Sequence, residues 1–74
     1  MSEKYSIQTL HGNKEMYVEN FMSVLELTCE KIRIKCIREM INIEGDNLQI
    51  EYMNEDDLKI TGIIKHIRII EVNG

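Results

Sequence analysis

The side chains best suited to metal chemistry are two cysteines and two histidines. Cys29 and Cys36 stand fairly close together, whereas His11 and His66 lie far from them in the sequence. Structural zinc sites use three or four ligands at close spacings, and this arrangement does not supply them. Two cysteines also make no disulfide framework in a cytosolic chain. We therefore expect no metal site, with Cys29 as an exposed thiol in a polar turn and Cys36 as a small core residue.

The acidic run Glu55-Asp56-Asp57 is the best candidate for binding a hard cation. Calcium loops place their ligands at alternate positions around an internal glycine, and this run lacks that spacing, so a solvated turn is expected. His66 would act as an acid or base only with a pocket and a partner. No nucleophile elbow, phosphate-binding loop or dinucleotide fingerprint occurs. The sequence thus predicts no catalytic residue, no cofactor and no enzymatic activity.

Three basic residues, Lys31, Arg33 and Lys35, alternate along one segment and form a candidate basic stripe. Such a stripe could follow a nucleic-acid backbone, but no aromatic residue lies between them to stack on a base. The alternative is a solvated face that is paired across the sheet with acidic residues. We favour this second interpretation. A further set of large apolar residues falls near predicted loops: Tyr17, Phe21, Met22 and Met53. Core packing is the default interpretation of these residues, and an exposed subset would form a candidate interaction patch.

Strand-like alternation positions all these residues. Lys31 to Cys36 alternates charged and apolar side chains without a break, and shorter segments repeat the pattern: Leu25–Leu27, Ile41–Ile43, Leu48–Tyr52 and Leu58–Ile60. Polar turns separate them at His11–Lys14, Thr28–Glu30, Glu44–Asn47 and Asn54–Asp57. Short loops join antiparallel neighbours. The predicted fold is therefore an all-β antiparallel meander of seven or eight short strands.

The last strand changes phase. Leu58, Ile60 and Ile64 share one parity, and Ile67 and Ile69 take the other, so burial of both sets requires a β-bulge near Lys65-His66. A bulge bends the sheet, which favours a strongly curled sheet or a small barrel. The predicted core contains Leu25, Leu27, Ile32, Ile34, Ile41, Ile43, Leu48, Ile50, Leu58, Ile60, Ile67 and Ile69.

Size and charge limit the remaining function classes. Seventy-four residues make one domain, which we place at residues 6–72 between a flexible N-terminus at 1–5 and a tail at 73–74. The net charge of −4 disfavours nucleic-acid binding, and no apolar run is long enough to span a bilayer. A cytoplasmic protein without direct membrane insertion is expected. A small core and two open sheet edges favour a homo-oligomer.

A series of short segments, in this order and spacing, resembles the YabP/YqfC family of small sporulation proteins from endospore-forming Firmicutes. The segments are Gly12–Glu15, Val18–Asn20, Val24–Leu27, Ile32–Ile34, Ile43–Gly45, Leu48–Ile50 and Leu58–Gly62, followed by Ile64, Ile67 and Ile69. The chain departs from the family pattern at Glu39, where the family tends to have glycine, and at Phe21–Ser23, where it tends to have a turn containing glycine.

The resemblance implies a role in building the endospore, without known catalysis, and commonly with a membrane-protein partner. It transfers no active-site residue. The leading hypothesis is a non-enzymatic interaction module that self-associates and docks on a membrane-associated partner, which would place it at a spore membrane peripherally. The alternative is a small β-barrel that binds nucleic acid. A barrel that binds a small molecule is disfavoured because eight short strands leave little interior space.

Overall fold

The computed structural model describes the backbone of residues 5–10 and 13–72 and the side chains of residues 15–72. This part of the chain is all β and contains no helix. Its strands are β1 (Tyr5–Leu10), β2 (Asn13–Glu19), β3 (Phe21–Leu27), β4 (Lys31–Cys36), β5 (Glu39–Met53) and β6 (Asp57–Glu71). The predicted N-terminal segment and C-terminal tail fall largely on residues outside the described ranges, as does the His11-Gly12 part of the first predicted turn.

The six strands form one antiparallel sheet in the order β1-β2-β6-β5-β4-β3. The predicted meander holds for β3 to β6, where each strand pairs with its successor. However, β2 pairs with β6 and not with β3. The strands β1 and β3 are therefore the two edges of an open sheet, and the barrel alternative is wrong.

The strand count differs from the prediction because Glu44–Asn47 is not a reversal. Ile41–Ile43 and Leu48–Tyr52 belong to one strand, the fifteen-residue β5. The glycine and asparagine of this segment form irregularities within the β5–β6 ladder: register shifts lie between Glu44 and Gly45 and between Asp46 and Gln49, and Asn47 has a φ of 53°. Turn chemistry and bulge chemistry use the same residue types. Six strands are consequently described where seven or eight were predicted.

The loop between β3 and β4 stabilises this irregular segment of β5. The Gly45 amide donates to the Glu30 carbonyl at 3.1 Å, and the Leu48 amide donates to the Cys29 carbonyl at 2.8 Å. These two bonds satisfy backbone donors at the positions where the regular ladder is interrupted. The irregularity in β5 is thus fixed by hydrogen bonds from a neighbouring loop.

The predicted bulge in the last strand is confirmed. Glu44 pairs with His66 and the next residue, Gly45, pairs with Ile64, which leaves Lys65 as the additional residue of β6. Burial changes phase at the same place. Leu58, Ile60 and Ile64 are buried on one parity, and Ile67 and Ile69 pack against the core on the other.

One cluster of apolar side chains forms the core, and most of the predicted core residues belong to it. The buried members are Met16, Val18, Ile32, Ile34, Cys36, Ile41, Ile43, Leu48, Leu58, Ile60 and Ile64, with Phe21, Val24, Ile50, Ile67 and Ile69 packed against them. The prediction for Cys36 is confirmed, and Cys29 is exposed as expected. Among the buried members the predicted core omitted Met16, Val18 and Ile64, and among the partly buried ones it omitted Phe21 and Val24.

The core assignment was wrong for Leu25 and Leu27, which are 48% and 56% exposed. Both lie on the edge strand β3, where a side chain has a neighbouring strand on one side only. The register between β3 and β4 also shifts twice, between Phe21 and Ser23 and between Val24 and Glu26. Leu25 is the extra residue of the second shift. The local alternation is the same as in the buried strands, but here it does not lead to burial.

Candidate interaction surface

The edge strand β3 exposes a row of large apolar side chains. Met22 is 58% exposed, and Leu25 and Leu27 are exposed to a similar degree. Met22 and Leu25 are the extra residues of the two register shifts, so each bulge adds an apolar side chain to this edge. The only charged residue of β3, Glu26, faces Arg33 across the β3–β4 pair. We call Met22, Leu25 and Leu27 the apolar edge.

The four residues of the candidate patch lie in two different environments. Met22 and Met53 are exposed, whereas Phe21 is half-buried and packs against the core. Phe21 also links both ends of the β5–β6 hairpin. Its amide donates to the Asp56 carbonyl at the closed end, and its cross-strand partner is Cys36, just before the turn that leads into β5. Met22 directly follows Phe21 in the chain, Met53 lies at the closed end of the hairpin, and Ile37, which directly follows Cys36, is 66% exposed.

Tyr17 does not belong to that group. It lies on β2 opposite Lys59 of β6, and the ammonium of Lys59 stands 5.3 Å from the centre of its ring. The Tyr17 hydroxyl donates to a carboxylate oxygen of Glu15 at 3.2 Å. Its polar contacts thus make it part of a charged cluster, which the sequence analysis did not identify.

Lys59 is the centre of this cluster. Its Nζ lies 3.5 Å from Glu15 Oε2 and 3.2 Å from Glu51 Oε2, and its side chain is only 14% exposed. Desolvation lowers the pKa of Lys59, but hydrogen bonds with Tyr17 and Glu51 and the charges of the two carboxylates outweigh it. The net effect raises the pKa of Lys59 well above its usual range. Lys59 is thus a cation held between three strands, and its amine stays protonated near neutral pH.

Removal of this cation gives the first testable prediction. Lys59→Met should lower the melting temperature at neutral pH, because Glu15 and Glu51 would lose their shared counter-ion. Since the pKa of Lys59 is raised by folding, its contribution is fully present below about 10.5, the value for an unperturbed lysine, and is lost only above it. Melting curves from pH 6 to 9 should therefore show a constant difference from the unaltered protein.

The matched control for Lys59→Met is Lys65→Met. Lys65 is more exposed and forms a salt bridge with Asp46 at 2.7 Å; the hydrogen bond and charge of Asp46, with a smaller contribution from the charge of Glu30, raise the pKa of Lys65. Exposed pairs contribute little to stability, so this variant should melt close to the unaltered protein. Equal melting temperatures for the two variants would contradict the prediction that Lys59 stabilises the fold more than an exposed lysine does.

The basic stripe lies on β4, with each residue opposite a residue of β5. Arg33 contacts Glu26 (3.9 Å), Asn42 Oδ1 (3.3 Å) and Met40 Sδ (3.1 Å). Lys31 is the cross-strand neighbour of Glu44, and Lys35 is that of Met40. The guanidinium at the centre of the stripe is therefore engaged with protein groups.

An open groove of about 450 Å³ lies beside the bulge in β6, between Thr28, Lys31, Glu44 and His66. Its charged groups are of both signs, and His66 is exposed. In the described ranges, no group of three or more His, Cys, Asp or Glu side chains is placed to hold a metal ion. Nor does this part of the chain include a helix that is long and apolar enough to cross a membrane.

Nearly the whole chain matches one known protein family. The model of the YabP family matches residues 2–73, and a search of curated proteins gives no match. The family match includes all of the segments on which the resemblance was based and extends to the N-terminal side of them. Because it accounts for nearly all of the 74 residues, the chain belongs to the YabP family.

Proposed function

We propose that this chain is a non-enzymatic sporulation protein that acts as an interaction module in endospore formation. In this proposal it self-associates and docks on a membrane-associated partner, which places it in the cytoplasm and peripherally at a spore membrane. Family membership supports the biological setting. The exposed surface of the sheet supports the proposed contacts with a partner.

The apolar edge is the observation that carries the proposal. Three large apolar side chains stand exposed along one edge strand, Met22, Leu25 and Leu27, and the single charge of that strand has an opposite charge nearby. Exposed apolar groups that are contiguous mark contact surfaces more often than scattered ones do. A partner that covers them gains burial of roughly 25 cal/mol per Å² of apolar surface. This edge is therefore the proposed docking surface.

The proposal also includes a strongly curled sheet. Fifteen extended residues span about 50 Å, whereas the longest dimension of the molecule is 36 Å. Phe21 contacts the closed end of the β5–β6 hairpin through its backbone and pairs beside the open end. A hairpin bent at its bulges accounts for both observations. Such a bend would bring Met53 towards the Met22 end of the apolar edge.

A spore assay tests the proposal in the organism that carries the gene. Deletion of the gene should reduce the number of heat-resistant spores, and the unaltered copy should restore it. The double variant Leu25→Gln/Leu27→Gln should fail to restore it, because the docking surface has lost its apolar character, and its share in the membrane fraction should fall. The control is Ile63→Gln, which alters an apolar side chain of similar exposure (42%) on β6 and should restore sporulation fully.

Circular dichroism and immunoblotting must first show that the double variant is folded and present. Because both leucines are about half exposed, their replacement should leave the strand content unchanged. A folded double variant that restores sporulation as well as Ile63→Gln does would overturn the role of the apolar edge.

A further inference from the structure

The two edges of the sheet differ in their capacity to accept another strand. An edge strand presents backbone N–H and C=O groups that have no neighbour within the sheet, and it can pair with a further chain. β-Bulges oppose such pairing because they displace the backbone groups from a regular ladder. The regularity of β1 and β3 therefore decides which edge can pair.

β3 is an interrupted edge. Its register with β4 shifts twice within seven residues, at Met22 and at Leu25. A strand added outside β3 would face backbone groups at irregular intervals. β3 is thus suited to contacts made by side chains, and a continuous ladder of hydrogen bonds along it would be broken twice.

β1 is a regular edge. All six of its residues pair with β2 in unbroken register, from Tyr5 opposite Val18 to Leu10 opposite Asn13. In an antiparallel ladder every second residue directs its N–H and C=O away from the neighbouring strand, so three residues of β1 offer both groups to a further strand. The sequence of β1, YSIQTL, contains neither a charged residue nor a proline, which are the residues that commonly protect an edge.

We infer that β1 is the self-association edge and that it pairs antiparallel with β1 of a second copy about a two-fold axis. The inference rests on the proposed function and specifies the strand that makes one of its contacts. Two-fold pairing uses the same groups on both copies and forms up to about six backbone hydrogen bonds. The two six-stranded sheets then become one continuous sheet.

The lack of charged residues in β1 favours a second copy as the occupant. Two chains of net charge −4 repel each other, and like charges placed opposite each other weaken strand pairing. Pairing through β1 brings no charged residue opposite its own copy at any register, because the strand has none. Self-pairing of β3 would instead carry Glu26 of each copy into the contact.

Single cysteines placed along β1 test the inference in a Cys29→Ser background. Opposite residues of an antiparallel pair lie about 4.5–5.5 Å apart at Cα, within the range for a disulfide. Ser6→Cys, Ile7→Cys, Gln8→Cys and Thr9→Cys are oxidised separately and in mixtures of neighbouring variants. If the two-fold axis passes through one residue, only the variant with cysteine at that residue should form covalent dimers with itself. If the axis passes between two residues, covalent dimers should form only in the mixture of the two corresponding variants. The controls Ser23→Cys on β3 and Thr28→Cys in the following loop should remain monomeric under the same oxidation.

A second measurement uses charge in place of covalent capture. Gln8→Lys places a lysine near its own copy and should weaken the dimer about fivefold or more in sedimentation equilibrium, whereas Gln49→Lys should leave it unchanged. Dimers captured through Ser23→Cys but not through β1 would overturn the inference and leave self-association intact. A mass of 8.7 kDa at high micromolar concentration would overturn both the inference and self-association, while the spore assay of the apolar edge would still decide docking on its own.

Discussion

Gly45→Ala should cost at least about 3 kcal/mol of unfolding free energy, which is a large part of the stability of a domain this small. A Cβ atom at Gly45 would overlap the backbone carbonyl of Ile63 on the neighbouring strand. A backbone atom in a ladder cannot move aside as the end of a side chain can. The substitution therefore forces the β5–β6 pair apart at its bulge, where the Gly45 amide also bonds to Glu30.

Gly62→Ala should be destabilising for a related reason. Gly62 has a φ of +132°, a conformation that residues with a side chain rarely adopt, and its Cβ would lie 2.6 Å from the carbonyl oxygen of Asn47. Asn47→Gly is the control in the same segment: at a φ of 53°, glycine relieves strain and should change stability by less than about 0.5 kcal/mol. Urea denaturation measures all three variants. If Gly45→Ala unfolds at the same urea concentration as Asn47→Gly, the backbone of Gly45 does not approach the Ile63 carbonyl as closely as described.

These glycines also show how far the sequence could predict the fold. Alternation is a local signal, so it identified the strands around Ile32, Ile43 and Ile60 and the phase change near Lys65. The segment Glu44–Asn47 was interpreted as a turn because glycine, asparagine and aspartate favour chain reversals. The same residue types also favour bulges, so their presence alone does not separate the two. The deciding factor is non-local: the backbone carbonyls of Glu30 and Cys29 in the neighbouring loop accept hydrogen bonds from the Gly45 and Leu48 amides and keep β5 continuous.

The candidate surface was predictable only in part for a similar reason. Met22 was a candidate member of the interaction patch because of its position near a predicted loop, but its sequence context alone did not decide between exposure and core packing. Exposure of Leu25 and Leu27 depends on which strand lies at the edge, and that follows from the pairing of β2 with β6 across the sheet. The cluster around Lys59 depends on the same pairing, because Tyr17 and Glu15 reach Lys59 only when β2 lies beside β6. No local pattern of residues contains this information.

The consequence of edge position can be measured by comparing two leucine-sized side chains that share one alternation pattern. Ile34→Ala should cost roughly 2–5 kcal/mol, because the side chain is fully buried and its loss removes apolar contacts and leaves a cavity. Leu27→Ala should cost less than about 1 kcal/mol, since the side chain is 56% exposed at the sheet edge. Ile50→Ala should fall between them, because Ile50 is partly buried against the core. Thermal and urea unfolding of the three variants test this order. If Leu27→Ala costs as much as Ile34→Ala, β3 must be covered, either within the chain or by a second copy. Repeating the measurement at tenfold lower protein concentration separates these two cases, because only a contact between copies weakens on dilution.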